Sequence, residues 1–259
     1  MAYSESEARA LVIEAGHRLL ENKLIARTWG NISARVSDTE FVITPSGMAY
    51  DTLTPDKLVL VKISDLSYDG EIKPSSEKGI HAAAYALRSD VNFIIHTHQH
   101  YASVVCADEC DTDFAPCAAY GLPGTKKLKK AMIACMTAHS DKYAFLMAHH
   151  GALCLGRDDS HAFALADELE SDCRRLYELR ASAGENAGET RPWLDDYAQI
   201  VGNGKDAITD DDAEAVAMIK QKNTDAAKYV RSGKPIGVLD AWIQHFVYKK
   251  KYSKIKDRK

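Results

Sequence analysis

Two imidazoles two residues apart, His96 and His98, follow the apolar run Phe93-Ile94-Ile95. Side chains alternate faces along a strand, so a strand here presents both histidines on one side. Two nitrogen donors aimed from a rigid strand end form two corners of a divalent-metal site. The plainer alternative is a pair of buried histidines satisfied by core partners, and the surrounding residues weigh against it. A third imidazole is available in Ala148-His149-His150-Gly151, at the end of another apolar run. Either His149 or His150 can serve, and the glycine that lets the backbone turn away favours His150. Three imidazoles leave a coordination position open for substrate or water, as catalytic sites do.

Glu77 is the candidate base. It lies at the start of a helical pattern that feeds the histidine strand. A carboxylate beside a metal can remove a carbon-bound proton while the resulting oxyanion is stabilised. Its simpler role would be a first-turn acid favoured by the helix dipole. Gly30-Asn31, Ser46-Gly47 and Ser75-Ser76 offer hydroxyl and backbone N–H groups without bulk. Together they suit a phosphate or carboxylate, although each alone is an ordinary turn or cap.

The positioning elements follow from periodicity. Ser4-Glu5-Ser6-Glu7 caps a helix whose apolar positions are Leu11, Val12, Ala15, Leu19 and Leu20. Residues 31–36 and 40–44 read as a hairpin, and 58–63 as a further strand. A helix beginning at 75–77 carries Ile80, Ala83, Ala84 and Leu87 inward. Then come a strand at 91–98, a helix at 101–105, a helix at 126–137, a strand at 143–148 and a long helix at 158–179. Short strands interleaved with helices and hairpins predict an α/β/α three-layer sandwich with a largely antiparallel central sheet. This domain spans 1–180. A polar, glycine-bearing linker at 183–189 leads into a helical C-terminal extension, 181–259, with helices at 210–229 and from Val238 onward. Val238, Leu239, Trp242, Ile243, Phe246 and Val247 must pack on the domain or on a neighbouring subunit.

The chain has 259 residues, 46% of them hydrophobic, enough to bury a substantial core. A net charge of −4 creates no global field for nucleic acid or a membrane. Asp195, Asp196, Asp206, Asp210, Asp211 and Asp212 cluster late, and the end from Lys249 to Lys259 is basic. Six cysteines form no C-x-x-C pair or disulfide framework. With no secretory pattern and no apolar run approaching the roughly 20 residues of a membrane span, a cytoplasmic protein is expected.

Five segments occur in register: Thr28-Trp29-Gly30-Asn31-Ile32-Ser33-Ala34-Arg35; Ile43-Thr44-Pro45-Ser46-Gly47; Pro74-Ser75-Ser76-Glu77 with His81 and Tyr85; His96-Thr97-His98 with Tyr101-Ala102-Ser103; and His149-His150-Gly151. Over roughly residues 5–180 the chain resembles the class II aldolase/adducin family. The resemblance implies a cyclic homotetramer with sites between subunits and a divalent metal, usually Zn2+, with Mn2+, Fe2+ or Co2+ as alternatives. It implies His96, His98 and His150 as ligands and Glu77 as acid/base. It assigns Gly30, Asn31, Ser46, Gly47, Ser75 and Ser76 to the substrate phosphate.

The implied reaction is cleavage of a phosphorylated ketose to dihydroxyacetone phosphate and an aldehyde. Glutamate at position 77 favours the aldolase branch over the 4-epimerases, which usually carry aspartate. The fuculose-phosphate branch has a tyrosine in a longer segment where residues 106–117 are short and contain none. Tyr120, Tyr197, Tyr229, Tyr248 and Tyr252 are the candidates to replace it. The remodelling leaves open a metal-dependent decarboxylase of a keto acid or a hydrolase of a β-dicarbonyl. A scaffold without catalysis, as in adducin, is disfavoured by the complete histidine and glutamate set.

Overall fold

A computed structural model of the chain describes residues 2–25, 28–183, 193–194 and 210–252. Tyr197, Asp195, Asp196, Asp206, most of the expected linker and the last basic residues lie outside them. Seven strands form one sheet: β1 Asn31–Arg35, β2 Glu40–Ile43, β3 Val59–Lys62, β4 Phe93–Thr97, β5 Cys117–Ala118, β6 Ala144–Met147 and β7 Gly151–Gly156. Their order is β3-β2-β1-β4-β7-β6-β5, and every neighbouring pair is antiparallel except β5 with β6. The expected largely antiparallel sheet is present, with helices on both faces.

The helices are α1 Glu5–Glu21, α2 Lys78–Leu87, α3 His100–Cys106, α4 Lys126–Ala138, α5 Asp159–Ala181, α6 Asp210–Tyr229 and α7 Val238–Tyr252. Ser4 and Glu7 form the reciprocal capping box that starts α1. Asp158 caps α5 by accepting from the His161 N–H. One core unites Val12 and Leu19 of α1, Phe93 and Ile95 of β4, and Phe163 and Leu169 of α5. The opposite core joins Phe41, Ile94, Phe145 and Leu155 of the sheet to Tyr85 of α2 and Met132 of α4. β4 is therefore buried on both faces, which is why its sequence reads as an unbroken apolar run.

Two expectations need correction. Leu87, expected on the inner side of α2, is 44% exposed, because the helix ends there and the chain turns away. β5 and β7 were not anticipated; β7 is buried at every position, so it lacks the alternation that marks a half-exposed strand. The two C-terminal helices differ from each other. α6 packs on α3 and α5, whereas Val238, Leu239, Trp242 and Phe246 of α7 are exposed on this chain.

Candidate active site

On β4 the alternation that sends Ile94 toward α2 sends His96 the same way, at the strand's end. His98 follows just beyond the strand, and His150 sits in the turn between β6 and β7. Their ring centroids are 4.6 Å (His96–His98), 4.8 Å (His96–His150) and 5.1 Å (His98–His150) apart. One nitrogen from each lies within 4.8 Å of the others, and all three residues are buried. His96 Nδ1 lies 2.8 Å from the Ala152 carbonyl, which can only accept, so Nδ1 carries the proton. Burial, only partly opposed by Glu77, pushes His96 down to about 3, so the ring is neutral at pH 7. Its Nε2 lone pair then faces His98 Nε2 at 2.9 Å.

Glu77 is the N-cap residue of α2, yet its side chain makes no cap bond. It turns inward instead, with Oε2 3.3 Å from His96 Nε2 and Oε1 3.7 Å from His150 Nε2. Burial would raise its carboxyl. The imidazoles of His150 and His96 and the Asn31 hydrogen bond outweigh that and hold it down at about 2. Oε1 is buried and accepts no hydrogen bond from any described residue. A buried carboxylate beside a neutral imidazole whose tautomer is fixed from behind is a donor set that fits a divalent cation.

A chain of buried polar groups leads away from Glu77. Asn31 Nδ2 donates to Glu77 Oε2 at 2.9 Å, which leaves Asn31 Oδ1 to accept from His81 Nε2. Burial holds His81 down to about 4 against the pull of Glu77, so the ring is neutral and Nδ1 is an acceptor. Ser33 Oγ, 2.7 Å away, donates to it, and the Tyr85 hydroxyl donates to Ser33 Oγ at 2.8 Å. Every donor finds one acceptor. Strand register builds this arrangement: Asn31 lies opposite His96 and Ser33 opposite Ile94, so both face α2.

All ten expected site residues line one small cavity of about 50 Å³: Gly30, Asn31, Ser46, Gly47, Ser75, Ser76, Glu77, His96, His98 and His150. Gly30 has a φ of 71°, and a Cβ there would stand 2.4 Å from the His96 carbonyl, so no other residue fits. Ser75 Oγ accepts from the Glu77 N–H at 3.2 Å. Thr28, Trp29, Pro45 and Pro123 complete the lining. Thr28, Trp29 and Pro45 belong to the motif segments, but Pro123 carried no sequence signal.

The choice between the adjacent histidines is resolved by direction. His149 faces away, with Nδ1 2.7 Å from the Trp193 carbonyl and Nε2 2.7 Å from Glu109. The left-handed residue of this turn is His149 (φ 57°) and not Gly151, contrary to the expectation that the glycine lets the backbone turn away. Glycine is required there because a Cβ would lie 2.3 Å from the Thr97 carbonyl.

The model of the Class II Aldolase and Adducin N-terminal domain matches residues 10–177. The chain belongs to the class II aldolase and adducin family. It is 32% identical over 189 residues to a 5-deoxy-D-ribulose 1-phosphate aldolase of Bacillus thuringiensis serovar kurstaki, covering 68% of this chain and 87% of that protein. It is 30% identical to an L-fuculose phosphate aldolase of Escherichia coli over 155 residues, 55% of this chain and 70% of that one. A solved L-fuculose 1-phosphate aldolase superposes with a TM-score of 0.62 at 26% identity, covering 85% of this chain and 97% of the other. These relatives are sugar-phosphate aldolases, and this protein is an enzyme of the class II aldolase type.

Of the tyrosines considered for the remodelled side of this aldolase, Tyr120 lies with its ring 5.6 Å from that of His149, behind the histidine cluster. Tyr229 is buried beneath the Arg180 guanidinium, and so cannot serve a neighbouring site. Tyr197 and the side chains of Tyr248 and Tyr252 lie outside the described residues. No helix among the described residues is long and apolar enough to cross a membrane.

Proposed function

We propose that this protein is a divalent-metal-dependent aldolase that cleaves a phosphorylated ketose to dihydroxyacetone phosphate and an aldehyde. The observation that carries the reading is the convergence of His96, His98 and His150 within 4.8 Å, with the Glu77 carboxylate 3.3 Å from His96 Nε2. In this reading the three imidazoles hold the cation, Zn2+ being the first candidate. When bound, it supplies Lewis-acid stabilisation of negative charge developing on substrate oxygens.

The chain's own groups do the rest. Glu77, ionised at pH 7, takes a C3 proton from dihydroxyacetone phosphate in the direction of synthesis and returns it in cleavage. Asn31 holds that carboxylate in one orientation. Ser46, Ser75, Ser76 and the backbone about Gly30 and Gly47 line the cavity on the side suited to a phosphate. The same reading includes a homotetramer, which light scattering reads directly.

The test needs no knowledge of the aldehyde. Zinc- or manganese-loaded protein is given dihydroxyacetone phosphate in D2O, and loss of one C3 proton is followed by NMR. Exchange is expected, falling at least about 100-fold in Glu77→Gln, the lower end of what a positioned base contributes. No exchange from metal-replete protein would overturn the assignment and direct attention to keto-acid decarboxylation or β-dicarbonyl hydrolysis.

A further inference from the structure

The helix α6 lies beyond the residues 10–177 that the family model covers, yet it reaches the back of the site. Trp29, which lines the cavity, packs in a small separate core with Ala215 and Ile219 of α6. One turn further along α6, Lys222 is fully buried and its Nζ donates to the main-chain carbonyl of His98. A buried ammonium is tolerated only where it is paired and hydrogen-bonded, so the atom it meets is informative.

That atom needs a partner. β4 ends at Thr97, so the sheet ladder that holds His96 stops one residue before His98. The His98 N–H is held by the Leu24 carbonyl at 2.9 Å, and its carbonyl by Lys222. The next residues are gripped from α5, where Glu170 accepts from the N–H groups of Tyr101 (2.8 Å) and Ala102 (3.0 Å). Asp225 of α6 lies 3.0 Å from His100 Nε2. Glu170 and Lys222 also feel each other's charge in this buried setting.

We infer that Lys222 is a positioning residue of the metal site: it fixes the peptide that follows the strand, and with it the aim of the His98 imidazole at His96 and His150. α6 is thus part of the scaffold of the site. The inference rests on the reading of His98 as a ligand.

The experiment compares metal affinity, by competition with a chromophoric chelator, and the visible spectrum of the Co2+-loaded protein. The variant is the double Lys222→Met/Glu170→Gln, which removes both buried charges; Glu170→Gln alone, whose amide can accept from only one of the two N–H groups that the carboxylate holds, measures the share of the effect that belongs to Glu170. Asp108→Asn is the control. The Asp108 carboxylate anchors the N–H groups of Arg231, Ser232 and Gly233 just after α6 and makes no hydrogen bond to residues 96–102. The double variant should fold, bind metal about 10- to 100-fold more weakly, as for altered partners of metal ligands, and show displaced cobalt bands. Asp108→Asn should lower stability and keep wild-type affinity and spectrum. Unchanged affinity in the double variant, or weakening no greater than in Glu170→Gln or in Asp108→Asn, would overturn the role of Lys222. Wild-type protein that takes up no metal through its histidines would overturn the ligand assignment itself, and this inference with it.

Discussion

As the proposed base, Glu77 needs a carboxylate that keeps one orientation, and the residue that ensures this is two hydrogen bonds removed. His81 holds Asn31, and Asn31 holds Glu77. His81→Ala leaves buried acceptors on Asn31 and donors on Ser33 without their partner, and frees the carboxylate to rotate. We expect kcat to fall by up to about 100-fold, the scale of a small displacement of a reacting group, with KM little changed. His81→Gln, which can still donate to Asn31, should recover part of the loss. Equal activity in His81→Ala and wild type under steady-state assay would show that Glu77 is held by other means. At this scale the sequence was informative about residue types: all ten expected residues line the cavity. It was silent on the chain through Ser33 and Tyr85, because hydrogen bonds between a strand and a helix some 50 residues away leave no local pattern.

At the level of elements, the site depends on how closely β4 and β7 approach. Thr97 pairs with Ala152 and His96 with Leu153, and the Gly151 Cα passes against the Thr97 carbonyl. Gly151→Ala forces the two strands apart and should cost about 1–3 kcal/mol, as overpacking does, measured by urea denaturation. Loss of the proposed metal binding should accompany it, since His96 and His150 flank the contact. The far end of α2 is tied differently. Arg88 meets Asp90 at 3.0 Å and donates to the carbonyls of Ser140 and Lys142. The Arg88 hydrogen bond is the main cause that holds the Asp90 carboxyl down at about 2, below its ordinary 3.8. A depressed folded pKa adds stability that is complete above the unfolded pKa and is lost as pH falls through the folded one. Between pH 4 and pH 2 the wild type should therefore lose stability more steeply than Asp90→Asn. Parallel pH profiles of the urea midpoint would show that the pair contributes nothing. The hairpin of β1 and β2 and helices α1, α4 and α5 were legible from caps and periodicity. β7 was not, because burial on both faces erases alternation.

Across the whole molecule, the C-terminal helices divide their roles. α6 is built into the structure through Lys222, Asp225 and the core shared with Trp29. α7 shows Trp242 at 62% and Phe246 at 57% exposure, the two rings stacked 5.9 Å apart. Surface substitutions remote from buried contacts change stability by less than about 0.5 kcal/mol. Trp242→Ser with Phe246→Ser should therefore leave the stability of the isolated chain within that range in dilute solution. A larger loss in chemical denaturation would mean that this face is covered in the protein as it exists in solution.

The sequence by itself determined the residue types capable of the chemistry, their order along the chain and the elements that carry them. Alternation on a strand and caps on helices are local and leave a periodic mark. Only the tertiary structure decided that His150 rather than His149 turns inward, since both sit in one turn and packing alone separates them. It alone converted Glu77 from an apparent helix cap into a buried carboxylate beside His96, and Gly151 from a turn residue into a point of strand contact. It alone joined Lys222 to His98 across 124 residues. Each of these is a contact between segments distant in sequence. Such contacts are set by how close-packed layers meet, which no short window of residues encodes.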